Sequence, residues 1–174
     1  MIGVTFPTTF DVDAVVASAI TQIVAASTNP LTADRTYYVR PDGSDTNTGL
    51  TNTAAGAFKT IQKAVDAAYA LDCGKYKVTI QLAAGTYTAG AKIIGRLRNA
   101  YDAARRPFQI IGDTVTPANV AITVPSANAI ELFDAYLYLD GVSISTTSGG
   151  YGTLVRFHST LETGNIRFGN VASE

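Results

Sequence analysis

Val142-Ser143-Ile144 stands 22 residues after Val120-Ala121-Ile122 and 24 residues before Ile166-Arg167-Phe168. In each triplet two large apolar side chains flank a small or polar one. That period of two marks a strand with one buried face. Similar steps link other pairs: Phe108/Ile110 and Ile130/Leu132 are 22 apart, and Val155/Phe157 follow 25 later. Two interleaved series with one repeat length predict a chain wound in coils, each laying short strands over those of the coil before. Val78-Thr79-Ile80-Gln81-Leu82 opens the alternation, and Leu137/Leu139 continue it. Stacking Ile130/Leu132 on Val155/Phe157 places Glu131 over Arg156 and Phe133 over His158, all pointing outward. An antiparallel sandwich is the competing architecture.

Upstream of the coils the pattern changes. Tyr37-Tyr38-Val39 reads as a short strand, and Pro41 to Gly49 is dense in Asp, Gly, Ser and Asn, the chemistry of turns. A helix is predicted from about Lys59 to Asp72, with Phe58, Ile61, Ala64, Val65, Ala68 and Leu71 on one stripe and Gly74 as its stop. Residues 1–34 carry no Lys or Arg. Their apolar residues recur at helical spacing, which predicts a helix over about 11–26 ended by Asn29-Pro30. Its opposite face (Ala17, Ser18, Thr21, Ala25) avoids charge as well. Val12, Val15, Val16, Ala19, Ile20 and Ile23 are therefore the expected partner-binding surface, against packing on the helix's own domain as the plainer reading.

Three segments result: a helical attachment or oligomerisation segment (1–34), a strand–loop–helix cap (35–76), and coils (77–174). The coils look open at the C-terminal end, since no helix or polar unit follows Ile166-Arg167-Phe168. The expectation is a chain that continues past Glu174 or is covered there by another molecule.

The chain has 174 residues and a net charge of -1, with 16% charged residues against about 25% in ordinary domains. That balance excludes a strongly basic nucleic-acid binder and a disordered acidic tail. One cysteine, Cys73, excludes an internal disulfide and a multi-Cys zinc site. The apolar run Val12 to Ala26 is short of the ~20 residues a membrane span takes. No basic residue precedes Arg35, so the expectation is no ordinary secretion signal.

The run Tyr37-Tyr38-Val39-Arg40-Pro41-Asp42-Gly43-Ser44-Asp45, then Asn47-Thr48-Gly49, then Ala57-Phe58-Lys59-Thr60-Ile61-Gln62-Lys63-Ala64-Val65, then Val78 to Leu82 and Gly85-Thr86-Tyr87, resembles the opening of right-handed parallel β-helices of the pectate-lyase-like superfamily. Among these it is most similar to the N-terminal part of phage tailspikes and tail fibres. Ala84 stands where that family commonly has proline. The resemblance covers residues 36–95 closely and 108–170 by repeat pattern alone. It implies about four coils, with the 59–72 helix plugging the first. It also implies a homotrimer attached to other virion tail proteins, released by lysis, with host surface polysaccharide as a possible ligand.

Chemistry is sparse in the pattern. Glycosidases of this shape use two carboxylates about 5–9.5 Å apart. The acids available are Glu131, Asp134, Asp140 and Glu162, and no acid–acid pair recurs at equivalent positions. Glu131–Arg156 reads first as a surface ion pair and only secondarily as catalytic. His158 is the single histidine, without a nucleophile or orienting acid in the local pattern. Asp42, Asp45 and Asn47 suggest a metal loop but lack the EF-hand order, and turn hydrogen bonds explain them. A pectate-type calcium cluster would need acids that the coils do not supply. No cofactor is called for. Lys92, Arg96, Arg98, Arg105 and Arg106 fall where the step from Val78 to Phe108 lengthens to 30, an inserted loop that could meet an anionic ligand or a solvated surface. Tyr136, Tyr138 and Tyr151 are candidate outward aromatics for stacking on sugars.

Three functions fit these residues. The first is a structural virion component that leads to a glycan-binding region. The second is a polysaccharide hydrolase or lyase whose site lies downstream or between subunits. The third is a non-catalytic carbohydrate-binding module.

Overall fold

The computed structural model describes residue 16 and residues 30–100, 106–125, 127–147 and 150–168. The predicted 11–26 helix, with Val12, Val15, Ala19, Ile20 and Ile23, and also Arg105, lies outside the described residues. The described chain is mostly β, in three sheets that are parallel throughout. The first sheet orders β1 (Arg35–Val39), β2 (Val78–Leu82), β5 (Phe108–Ile111), β8 (Tyr136–Asp140) and β11 (Thr160–Thr163). The second orders β12 (Ile166–Phe168), β9 (Val142–Thr146), β6 (Val120–Val124) and β3 (Gly85–Tyr87). The third orders β10 (Thr153–Arg156), β7 (Ile130–Phe133) and β4 (Ala91–Ile94). From β2 onward the chain visits the three sheets in rotation, so strands three apart in sequence pair in space.

Alternation decides which side chains meet inside. Tyr37 lies opposite Ile80, Ile80 opposite Ile110, and Ile110 opposite Leu139. Tyr87, Ile122, Ile144 and Phe168 form a second column, and Ile93, Leu132 and Val155 a third. Apart from Val155 and Phe168, the members of the three columns belong to one buried cluster. Each large aliphatic buried there contributes about 1.5–3 kcal/mol. The 22 and 24 steps through Val120, Val142 and Ile166 thus correspond to real strand pairs.

The other series needs correction. Ile130/Leu132 pair with Ala91/Ile93, not with Phe108/Ile110, because there are three sheets rather than two. Val155 lies opposite Leu132, two residues off the expected register. Loop lengths hide the true partners from the sequence. The step from Val78 to Phe108 is a direct pair, and residues 95–107 fill the connection between β4 and β5.

The helix α1 (Ile61–Tyr69) is shorter than the predicted span. Its stripe is as expected, with Ile61, Ala64, Val65 and Ala68 buried. Phe58 and Leu71 are buried too, just outside it. The helix packs on β1, β2 and β4 and covers that end of the core. Thr60 caps it, its hydroxyl accepting the Lys63 N–H. Asp45 braces the cap from 15 residues away: one carboxylate oxygen accepts the N–H groups of Lys59 and Thr60 at 2.9 Å, and the other the Thr60 hydroxyl at 2.8 Å. Asn47 donates to the carbonyls of Ala54 and Ala57. The Asp/Asn loop is thus a hydrogen-bonded turn that starts a helix. Helix and strand 1 close one end of the stack.

Exits from the third sheet share one backbone device. Ile94, Phe133 and Arg156 are in register, and each is followed by a residue at positive φ: Gly95 (77°), Asp134 (50°) and Phe157 (41°). Glycine adopts this conformation freely, whereas a phenylalanine there is strained.

Candidate functional site

The densest cluster of polar and aromatic groups lies on the outer face of the first sheet, where the 95–107 connection returns to β5. Register sets it up. Gln109, Tyr138 and Glu162 form one outward column, and Tyr136 lies opposite Thr160. Arg106 stands two residues before β5 at φ 52°, and its guanidinium lies over the Tyr138 ring, 3.8 Å from the centroid. The same side chain reaches Glu162 at 3.2 Å. The Tyr138 hydroxyl donates to Asp140 at 2.8 Å, which raises its pKa, with burial adding to the effect. The other oxygen of Asp140 accepts the Asn165 N–H.

Tyr136 differs from its neighbour. Its side chain is buried, and its hydroxyl has no hydrogen-bond partner within bonding geometry. Burial first, and the nearby Glu162 carboxylate second, push its pKa up to about 12. Glu162 is thus close enough to act on the hydroxyl but not in hydrogen-bonding geometry. Beside it opens a pocket of about 150 Å³ with Tyr136, Thr160 and Glu162 on its polar side.

These positions revise the sequence reading. Tyr136 and Tyr138 point outward but are covered, so of the three tyrosines only Tyr151 is an exposed platform. Of the basic loop, Arg106 is held by Glu162 and Tyr138, while Lys92, Arg96 and Arg98 are exposed at separate places. Lys92 lies on β4 opposite Glu131 in the third sheet. The signal that marked the site in the sequence was the break in repeat length. What could not be read was that Glu162 is the residue the loop would meet.

Glu131 lies opposite Leu154, not Arg156, because of the two-residue register shift. Arg156 approaches it diagonally, at 4.0 Å. Such a pair near the surface contributes at most about 1 kcal/mol. Phe133 lies opposite Arg156, and its ring packs on Phe157 at 4.7 Å rather than on His158. His158 is exposed, one residue past the strained Phe157. Asp134 is the positive-φ residue after β7.

Of the four candidate acids, Asp140 and Glu162 share the first-sheet face. Asp140 has both oxygens engaged, and Glu162 holds a guanidinium, so both serve as hydrogen-bond and ion-pair partners there. Among the described residues, no three His, Cys, Asp or Glu side chains converge as a metal-binding group. Among the same residues, no helix is long and apolar enough to cross a membrane.

No family model, curated protein or solved structure matches this chain.

Proposed function

We propose that this chain is a structural segment of a phage tailspike or tail fibre, built as a right-handed parallel β-helix of about four coils. In this reading residues 1–34 attach it to other virion tail proteins, three chains associate, and the coils lead toward a region that binds host surface polysaccharide.

One observation carries the proposal. Core positions that are sealed in one turn of the chain are open in the last. Leu132 and Ile144 are 0% exposed, but Val155 and Phe168, directly opposite them, are 44% and 60% exposed. Helix α1 covers the other end of the same core. Among the described residues, a core covered at one end by a helix and showing apolar side chains at the other suits association with further protein there. The rotation of strands through three parallel sheets supports the coil, and a scarcity of charge supports burial in an assembly.

Light scattering on the purified 174-residue chain tests this reading. The expected mass is that of three 18.2 kDa chains, falling to one when Val15, Val16 and Ile20 are changed to Glu. A monomer at all concentrations would overturn the assembly role. New reducing ends or unsaturated uronates released from isolated capsule would favour a depolymerase instead.

A further inference from the structure

On the outer face of the third sheet, apolar and charged side chains stand in a regular grid. Lys92, Glu131 and Leu154 lie in register along one row, and Ile94, Phe133 and Arg156 along the next. Ile94 and Phe133 are exposed, and the exposed Phe157 ring packs on Phe133. Adjoining exposed side chains of this size and polarity mark interaction surfaces. Helix α1 adds one more charge. The Gln62 side chain accepts the Lys92 N–H at 2.7 Å and donates to the Lys92 carbonyl at 3.2 Å, so it lies along the edge of β4 that faces away from β7. It also donates to Asp66 at 2.9 Å, which sets that exposed carboxylate one step beyond β4. Along the coil axis the charges therefore read Asp66 negative, Lys92 positive, Glu131 negative and Arg156 positive.

We propose that this face binds the same face of a second copy of the chain, with the two coil axes antiparallel. An alternating row with an even number of charges is its own complement when reversed. A two-fold axis parallel to the strands, between β4 and β7, reverses it. Lys92 then meets the partner's Glu131, Ile94 meets the partner's Phe133, and Arg156 meets the partner's Asp66. Every charge faces its opposite, and the apolar side chains face one another. With the coil axes parallel, the same two faces would set Lys92 against Lys92 and Glu131 against Glu131. An open groove of about 430 Å³ beside Lys92 and Glu131 leaves room for the partner's long side chains. Because both copies use the same patch, the contact closes as a pair and does not propagate. Three strands of four residues, spaced ~4.8 Å apart, cover far less than the ~800 Å² a side of a standard interface. The pair is therefore weak, and salt screens its charged part. This contact is separate from the 1–34 association and from the end of the stack at Val155 and Phe168.

Sedimentation velocity of the full chain, over a concentration series at low salt, tests the assignment. Lys92→Glu and Glu131→Lys each turn both central contacts into like-charge pairs. Each alone is expected to weaken this pairing at least about tenfold. Mixed in equal amounts, the two variants are expected to recover it, because each offers the other opposite charges at both positions. About 0.5 M salt should weaken the parent and the mixture alike. Ile94→Ser removes an exposed apolar side chain, leaves every charge in place, and is expected to weaken pairing about fivefold. Thermal melts confirm that each variant is folded. The assignment is overturned if Ile94→Ser associates like the parent, if both charge variants do, or if the mixture associates no more than its folded components. Residues 1–34, Val155 and Phe168 are the same in every protein compared. Differences among them report this face alone, and failure here leaves the stem reading standing.

Discussion

The guanidinium of Arg106 lies 3.8 Å from the centre of the Tyr138 ring and 3.2 Å from Glu162, so one residue clamps the end of the 95–107 connection onto two successive strands of the first sheet. Both ion-pair partners are nearly half exposed, which limits the pair to about 1 kcal/mol or less. The cation–π contact adds about 0.5–1 kcal/mol. Arg106→Ala is expected to lower stability by about 1–2 kcal/mol. Arg106→Lys should recover only part of this, since a point ammonium cannot lie flat on the ring and bond Glu162 together. Urea unfolding of the three proteins checks the order.

Gly141 is the one-residue corner between β8 and β9. Its φ is +68°, and a Cβ there would stand 2.6 Å from the Asp113 carbonyl carbon and 2.7 Å from the Thr114 nitrogen. Both the conformation and the space require glycine. Gly141→Ala is expected to cost more than about 2 kcal/mol, as backbone strain and steric overlap combine. Gly74 also has positive φ, at +51°, but a Cβ there meets nothing within 4 Å. Gly74→Ala should therefore cost only about 1 kcal/mol. Thermal melts of the two variants separate close approach from conformation alone.

Strands were readable wherever side chains alternate, because period two reports burial directly. Val142 and Ile144 announce their own geometry. Partners were readable only where the connecting loops are uniform. Between β3 and β6 the chain inserts both the 95–107 connection and the 112–119 loop, so Tyr87 pairs with Ile122 at a distance the 22-residue step does not suggest. The site suffered most from this. Arg106 and Glu162 meet across 56 residues, and no local pattern links them. Outward residues of a sheet are usually exposed, which makes Tyr136 and Tyr138 look exposed in the sequence, but both are buried, and over Tyr138 lies the Arg106 guanidinium.

Asp45 gives a pH dependence of known sign. Burial pushes its pKa up, but its hydrogen bonds from Thr60 and Lys59 outweigh this and hold it below the usual carboxylate value. Asp113 is lowered likewise, first by the Thr116 N–H and then by Asn119. A depressed folded-state pKa adds stability that is complete above the unfolded value of about 3.9 and is lost as pH falls through the folded value. Stability is expected to be flat in this respect from pH 7 to about 5 and to fall below about 4. Asp45→Ala should flatten the acid limb and lower neutral stability by about 1–3 kcal/mol, through loss of charge-assisted bonds at the helix start. Denaturation midpoints from pH 3 to 7 test both statements.

Cys73 is fully buried, and burial, reinforced by Asp72, pushes its thiol up to about 11. Thiolate is the reactive form. Iodoacetamide at pH 8 is expected to leave the native protein unmodified and to alkylate it once unfolded in urea. Rapid native labelling, read by mass spectrometry, would show that the turn between α1 and β2 opens readily.

Val155 and Phe168 stand in two inward columns whose earlier members are sealed, so they form an exposed apolar end against which another chain could pack. Among the described residues all three sheets also end there in a strand without a further partner (β10, β11, β12), an edge that invites pairing with another chain. Val155→Lys with Phe168→Lys places charge on that end while disturbing little, since both side chains are already about half exposed. End-on association of the parent is expected to rise with concentration and to be abolished in the double variant, with the melting temperature shifted by only a few degrees. Sedimentation velocity over a concentration series reads the difference. Equal association of parent and variant would move the contact elsewhere, to the 1–34 segment, whose Val15, Val16 and Ile20 variants report on it independently.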